Sequence, residues 1–245
     1  MKFSCEKALL QSMITIASRA VAPKSTIPAL EGVLLEAEQE LNLTGYNLKT
    51  GIRGTISADI AEPGSIVLSA RLFGDIIRRL PDDMVTLSTD DLMVNITCGM
   101  SEFNILGMDP SQFPELPAVE YQNSMILPQR ILHSMITETI FAVSTNDSRP
   151  IHTGELFERN GEGLLTVVAV DGYRLALRRE TTQLNVSETA CQFVIPAPAL
   201  NEVSKICGDT DETVEIVQGS RHIMFRLESE KSPLTPVGVK GCFQT

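Results

Sequence analysis

Three runs of carboxylates, Asp82-Asp83, Asp90-Asp91 and Asp209-Thr210-Asp211-Glu212, are the residues of this chain best suited to hold a hard divalent cation, which takes oxygen ligands. Each stands where a strand should turn, and Asp is favoured there because its side chain bonds the backbone two residues on. They are therefore expected to be solvated loop residues, with a metal-dependent enzyme centred on Asp209 as the competing reading. His133, His152 and His222 are too scattered for a zinc site. No GxxxxGK[ST] loop, GxGxxG turn, HExxH helix or GxSxG elbow occurs. No catalytic residue, metal or cofactor is expected, and the chain reads as a binding scaffold. One phrase stands apart: Val170-Asp171-Gly172-Tyr173-Arg174-Leu175 closes the apolar run LLTVVAV and leads into RLALRR, so Asp-Gly marks a hairpin.

The elements that must carry these residues recur. Sliding the chain by 122 residues places Leu10, Ser12, Met13, Ile14, Thr15, Ala20, Val21, Pro28, Gly32 and Leu34 on identical residues from Leu132 to Leu156, 10 matches in the 27 positions from Leu9 to Leu35. Average residue usage would give about two. The chain is thus two copies of one module. In each, a strand (1–5; 124–127) leads to an amphipathic helix (6–21; 128–143) with Leu10, Met13, Ala17, Ala20 and Leu132, Met135, Thr139, Ala142 at helical spacing. Strands over 32–37, 41–46, 52–58 and 65–69 follow in the first copy, then a helix over 70–80 (198–207 in the second copy) and strands over 84–88, 92–98 and 101–106. The expected class is α+β, helices on one face of an antiparallel sheet. Pro110, Pro114 and Pro117 make residues 107–123 an extended connector. The expected domains are 1–120 and 121–228, with an unmatched tail over 229–245.

Composition narrows the class. The 245 residues are 43% hydrophobic and 21% charged, which excludes disordered and collagen-like chains. No apolar run approaches the roughly 20 residues of a membrane helix, and Glu6 and Lys7 interrupt any signal-like start, so a cytoplasmic protein without membrane association is expected. Cys5, Cys98, Cys191, Cys207 and Cys242 lack C-x-x-C spacing and read as reduced, mostly buried thiols. A net charge of -11 argues against a tight, basic nucleic-acid binder. The four helices differ from the average: Lys7, Arg19, Arg71, Arg78, Arg79, Arg130 and Lys205 face only Glu6, Asp75, Glu138 and Glu202, a net +3, leaving -14 for everything else.

The opening MKFSCEKALLQSMITIASRAVAPKSTIPALEGVLLEA, the connector DPSQFPELP, the phrase VAVDGYRLALRR and the segment FVIPAPALNEVSKI together resemble the bacterial sliding clamp, the beta subunit of DNA polymerase III, over residues 1–228. That resemblance implies a non-catalytic processivity factor, a ring around duplex DNA whose module helices line the hole. It implies sequence-independent contact with double-stranded DNA and partnership with the polymerase III catalytic subunit and the clamp loader. Carried over by position, the phosphate contacts fall on Lys24 and on Asn146 with Arg149, Lys24 and Asn146 being related by the same 122-residue offset; the helix cations Arg71, Arg78 and Arg79 join them. Lysine for the family's frequent arginine keeps the charge and loses the fork; asparagine for glutamine keeps an amide donor. The family's pocket for hydrophobic partner peptides falls on Val170, Gly172, Tyr173, Arg174 and Leu175, where Val170 replaces a usual threonine.

The family carries three modules per chain and this sequence shows two, so a truncated, frameshifted or divergent product is expected. Ring closure needs both surfaces of a heterologous contact, so self-association is expected to weaken to a monomer or loose oligomer, a ring of three two-module chains being the outside alternative. A stand-alone adaptor that binds clamp-partner peptides without encircling DNA is the runner-up.

Overall fold

The computed structural model describes residues 1–146, 148–181, 190–228 and 238–244. Contacts divide the chain into compact units, the first built on Met1–Pro117 and the second on Ala118–Glu228.

Unit 1 runs β1 (Lys2–Glu6), α1 (Lys7–Ala17), β2 (Gly32–Ala37), β3 (Leu41–Tyr46), β4 (Thr50–Ile56), β5 (Asp59–Glu62), β6 (Gly64–Ser69), α2 (Ala70–Arg79), β7 (Met84–Asp90), β8 (Met93–Cys98) and β9 (Ser101–Leu106). Every pairing is antiparallel. One sheet has the order β5-β1-β7-β8-β9, and a second ladder runs β6-β2-β3-β4. Strand alternation sends Phe3, Cys5, Val33, Leu35, Leu41, Leu43, Val85, Leu87, Val94 and Ile96 into one core. Leu10, Met13, Ile14 and Ala17 of α1 meet them at helical spacing, with Phe73, Ile76 and Ile77 of α2. The helices thus cover one face, as the sequence pattern requires, but the strands resolve into two sheets. β5, too exposed and polar to be read as a strand, turns the chain from one sheet to the other.

Unit 2 repeats the plan as β10 (Asn123–Pro128), α3 (Gln129–Thr139), β11 (Gly154–Arg159), β12 (Leu164–Val170), β13 (Leu175–Thr181), β14 (Cys191–Pro196), α4 (Ala197–Ile206), β15 (Thr213–Gln218) and β16 (His222–Glu228). Its sheets are β13-β12-β11-β14 and the ladder β10-β15-β16. Phe157 and Phe193 stack across β11 and β14 with centroids 5.9 Å apart. In both units the first helix stops early and tightens into a 3-10 turn, Ser18–Ala20 after α1 and Ile140–Ala142 after α3, each closed by the same bond, Val21 N to Ser18 O and Val143 N to Ile140 O, at 3.2 Å. Within the tail that showed little periodicity, Gly238–Gln244 forms a strand, β17. Cys5, Cys98 and Cys207 are buried free thiols and Cys191 is half-buried. Burial pushes Cys5 and Cys207 up to about 12, which keeps both as unreactive thiols.

Candidate functional site

The carboxylate runs lie in turns. Asp91 takes a positive φ of 52° between β7 and β8, Asp82 pairs with Lys7 at 2.7 Å, and Asp211 pairs with Arg130 at 2.5 Å. Among the described residues no group of three His, Cys, Asp or Glu converges on a metal-sized site.

The basic residues sort by partner. Lys7 and Arg130 are engaged as above, Lys205 with Glu202 at 2.7 Å, and Arg78 with Asp75 at 2.6 Å. Arg71 and Arg79, both exposed on α2, and exposed Lys24 make no ion pair among the described residues. Arg78 keeps 63% of its side chain exposed, so its surface pair costs little to exchange for another anion. Arg71 and Arg78 line a groove of about 240 Å³ with Gln11 and Thr15 of α1 and Ser18 of the 3-10 turn after it. Gly74 of α2 faces α1 there; a Cβ on it would stand 3.5 Å from Ile14. The structure therefore brings two of the expected phosphate contacts, Arg71 and Arg78, to one groove, which the Asp75 carboxylate paired with Arg78 also lines. Lys24 and Arg79 lie outside that groove.

Lys24 sits in the loop after the first 3-10 turn, and Asn146 with Arg149 in the equivalent loop of unit 2. The second loop is held by its own polar groups. Ser144 N donates to His152 O at 2.8 Å, Asn146 N to Ser144 Oγ at 3.1 Å, and Ser148 N to Asn146 Oδ1 at 3.0 Å. With Oδ1 occupied, Asn146 presents its amide donor outward, the polarity an anion needs.

At the hairpin, Val170 pairs directly with Leu175, leaving the four-residue loop Asp171–Arg174. Asp171 organises it: Oδ1 accepts from the backbone N of Tyr173 (2.9 Å) and Arg174 (3.1 Å), and Oδ2 from Arg174 Nε (2.8 Å). These donors hold its carboxyl below the usual carboxylate range, the backbone bonds first. Gly172 supplies the positive φ of 95° that the turn requires. Tyr173 stands fully in solvent, Leu175 is 62% exposed and Val170 is half-buried, so neither Leu175 nor Tyr173 is core.

Sequence reasoning missed Phe141. It falls on the 3-10 turn after α3, is 59% exposed, and lies under Arg174, whose guanidinium carbon is 5.8 Å from the ring centroid. Small residues beneath, Ala142, Ala169 and Ala176, let that turn approach β12 and β13 closely. Just upstream, Thr139 Oγ1 lies 2.8 Å from Oε1 of Glu155, a fully buried carboxyl that burial raises to about 7. The signal was present in the repeat, where Glu155 aligns with Val33 and Thr139 with Ala17, both core positions.

Against known proteins, residues 1–117 match the family model of the DNA polymerase III beta subunit, N-terminal domain, and residues 126–234 that of its central domain. The beta sliding clamp of Halalkalibacterium halodurans is 35% identical over 240 residues, covering 94% of this chain and 63% of the relative; that of Staphylococcus aureus is 36% identical over 239 residues, covering 93% and 62%. The DNA polymerase sliding clamp of Bacillus subtilis superposes with a TM-score of 0.89 at 31% identity, over 100% of this chain and 64% of that one. The beta subunit from Streptococcus pyogenes gives 0.88 at 32%, with the same coverage. This chain spans under two thirds of the length of these relatives.

Proposed function

Because the chain belongs to the bacterial DNA polymerase III beta subunit family, the sliding clamps, we propose that it is a non-catalytic processivity factor of the replicative polymerase, working on double-stranded DNA without regard to sequence. The observation that carries this reading is the distribution of charge. In a chain of net charge -11, the cations left without ion pairs include Arg71 and Arg79 of α2 and Lys24, and the loop that repeats Lys24's place offers Asn146 and Arg149. A sliding protein needs few and weak phosphate contacts, since each neutralised phosphate adds salt-dependent affinity, and an acidic remainder keeps DNA off the other surfaces. The working division is two modules meeting near residue 120. The partners are duplex DNA, the polymerase III catalytic subunit and the clamp loader, in the cytoplasm.

The expected behaviour is retention on nicked circular plasmid in the presence of loader, lost when the circle is cut. A triple Lys24→Ala, Arg71→Ala, Arg79→Ala variant should lower the salt dependence of DNA binding, each lost phosphate contact removing about 0.9 from the slope of log K against log salt. Retention on linear DNA equal to that on circles would refute encirclement.

A second reading, an adaptor that docks partner peptides without encircling DNA, is favoured by the exposed loop surface of unit 2, where Val170, Gly172, Tyr173, Arg174 and Leu175 gather with Phe141. It is distinguished by peptide binding without topological retention.

A further inference from the structure

The two copies of the module end their first helix differently. In unit 1 the chain passes from α1 into its 3-10 turn through Ala17, whose backbone stays helical at φ -61° and ψ -37°. In unit 2 the equivalent residue, Thr139, swings to φ -121° and ψ -33°, so the chain bends at the residue whose hydroxyl reaches Glu155. Thr139 and Glu155 stand where unit 1 has Ala17 and Val33. Two residues on from Thr139, Phe141 lies under the Arg174 guanidinium, in the turn closed by the bond from Val143 N to Ile140 O. We infer that Glu155 and Thr139 form a proton-operated hinge: protonated Glu155 holds the 3-10 turn with Phe141 seated under Arg174, and loss of that proton loosens the turn and, with it, the loop Asp171–Arg174.

Neutral Glu155 donates to Thr139 Oγ1, which donates in turn to Met135 O at 2.7 Å and pins the last turn of α3. When the carboxyl proton passes to solvent, Thr139 gives its own proton to Oε1 and Met135 O loses its hydroxyl donor. Oε2, which has no partner among the described residues, then needs water. β11 is paired on both sides, by β12 and β14, so the strands resist parting. The turn, with Phe141 59% exposed, opens more cheaply. Burial sets the change near neutrality, raising the carboxyl to about 7 against the pull of the Thr139 bond. The charged groups around Glu155 are engaged elsewhere. β12 carries none, and β14 only the Cys191 thiol, which burial raises. Glu138 of α3 pairs with Arg178 of β13 at 3.0 Å, and Arg178 also with Glu180; Arg130 of α3 pairs with Asp211, and Glu202 of α4 with Lys205. Arg159 of β11 donates to Ser124 O at 2.9 Å, and Asp171 holds Arg174 at 2.8 Å. The hinge does not depend on what the loop binds, and so goes beyond both readings of function above.

The chain has no tryptophan, so Phe141→Trp places a single indole at the hinge. Acrylamide quenching of its fluorescence, measured on the whole chain from about pH 5 to about pH 8.5, should rise at least twofold, with a midpoint near the Glu155 value of about 7 and no change in far-ultraviolet circular dichroism. Glu155→Gln, whose amide donates to Thr139 as the acid does, should hold quenching at its low-pH level, and so should Thr139→Ala with Glu155→Val. His133→Gln with His152→Gln, which removes the imidazoles of α3 and of the turn before β11, should leave the titration in place. A second readout needs no reporter: the backbone amide resonances of Phe141 and Arg174 should titrate together in the unsubstituted chain and stay fixed in Glu155→Gln. A titration that survives Glu155→Gln, or one that vanishes with the two histidines, would overturn the inference. So would Phe141 and Arg174 amides that do not move over the same range. Circular dichroism lost at the same midpoint would overturn it too, since the event would then be unfolding and not a hinge.

Discussion

Glu155 makes unit 2 less stable as the pH rises through neutrality. Its carboxyl is fully buried, Oε1 faces Thr139 Oγ1, and Oε2 has no partner among the described residues. The Thr139 hydroxyl has one proton and two close acceptors, Glu155 Oε1 at 2.8 Å and Met135 O at 2.7 Å. Neutral Glu155 resolves the competition: the acid donates to Thr139 Oγ1, and Thr139 donates to Met135. Ionised Glu155 leaves one acceptor without a donor and a charge without water. Burial accordingly raises the carboxyl from 4.5 to about 7, the bond from Thr139 pulling the other way. Between these values the native chain holds a proton that the unfolded chain has released. The stabilisation is therefore complete below about pH 4.5, falls as pH rises, and is gone above about pH 7. At 1.36 kcal/mol per pKa unit the loss is about 3 kcal/mol. Glu155→Gln keeps the shape and removes the charge; Thr139→Ala with Glu155→Val installs the pair that unit 1 holds as Ala17 and Val33. Amide exchange of α3 and β11, read by mass spectrometry at pH 5, 7 and 8.5 after correction for intrinsic rates, should show protection falling with pH in the wild type and much less in either variant. At pH 8.5 both variants should be more stable by about 2–3 kcal/mol. An equal pH slope in wild type and Glu155→Gln would refute the reasoning.

Two further predictions concern the same scaffold. Gly45→Ala should destabilise unit 1 by about 3 kcal/mol or more, because the added Cβ would stand 2.0 Å from the Ala17 carbonyl oxygen and forces α1 off β3; urea unfolding followed by circular dichroism measures it, and a cost below 1 kcal/mol would refute the close approach. The Asp171 loop should hold its shape well into acid, since its lowered carboxyl keeps accepting from Tyr173 and Arg174 below the usual 3.8 and releases them only as pH falls through the depressed value. Asp171→Asn should abolish that acid transition, monitored by the Tyr173 amide resonance.

How much of this was legible depended on whether local pattern or tertiary register decided the outcome. Helical spacing of Leu10, Met13 and Ala17, repeated at Leu132, Met135 and Thr139, sufficed to place α1 and α3 within a few residues. The early stop into 3-10 turns was not legible, because residues 18–20 and 140–142 carry no breaker, and that stop is what turns Phe141 outward to Arg174. β5 escaped because Asp59–Glu62 is a polar edge strand with no alternation to read. The candidate pocket residues Val170 to Leu175 were found through resemblance, their turn through Asp-Gly chemistry; their exposure needed the register of β12 on β13. Duplication explains why the remaining features went unread singly. Glu155 looks like any strand glutamate until it is laid on Val33, and Leu177 like any strand leucine until it is laid on Arg53. A module copied within one chain supplies its own control: where the copies agree, the residue serves the shared fold, and where an inward Val becomes Glu or an outward Arg becomes Leu, the fold has tolerated a change that packing alone would not select. Glu155, which faces Thr139 just ahead of the turn bearing Phe141, and the exposed Leu177 of β13 are two such departures, and function specific to the second copy is to be sought beside them.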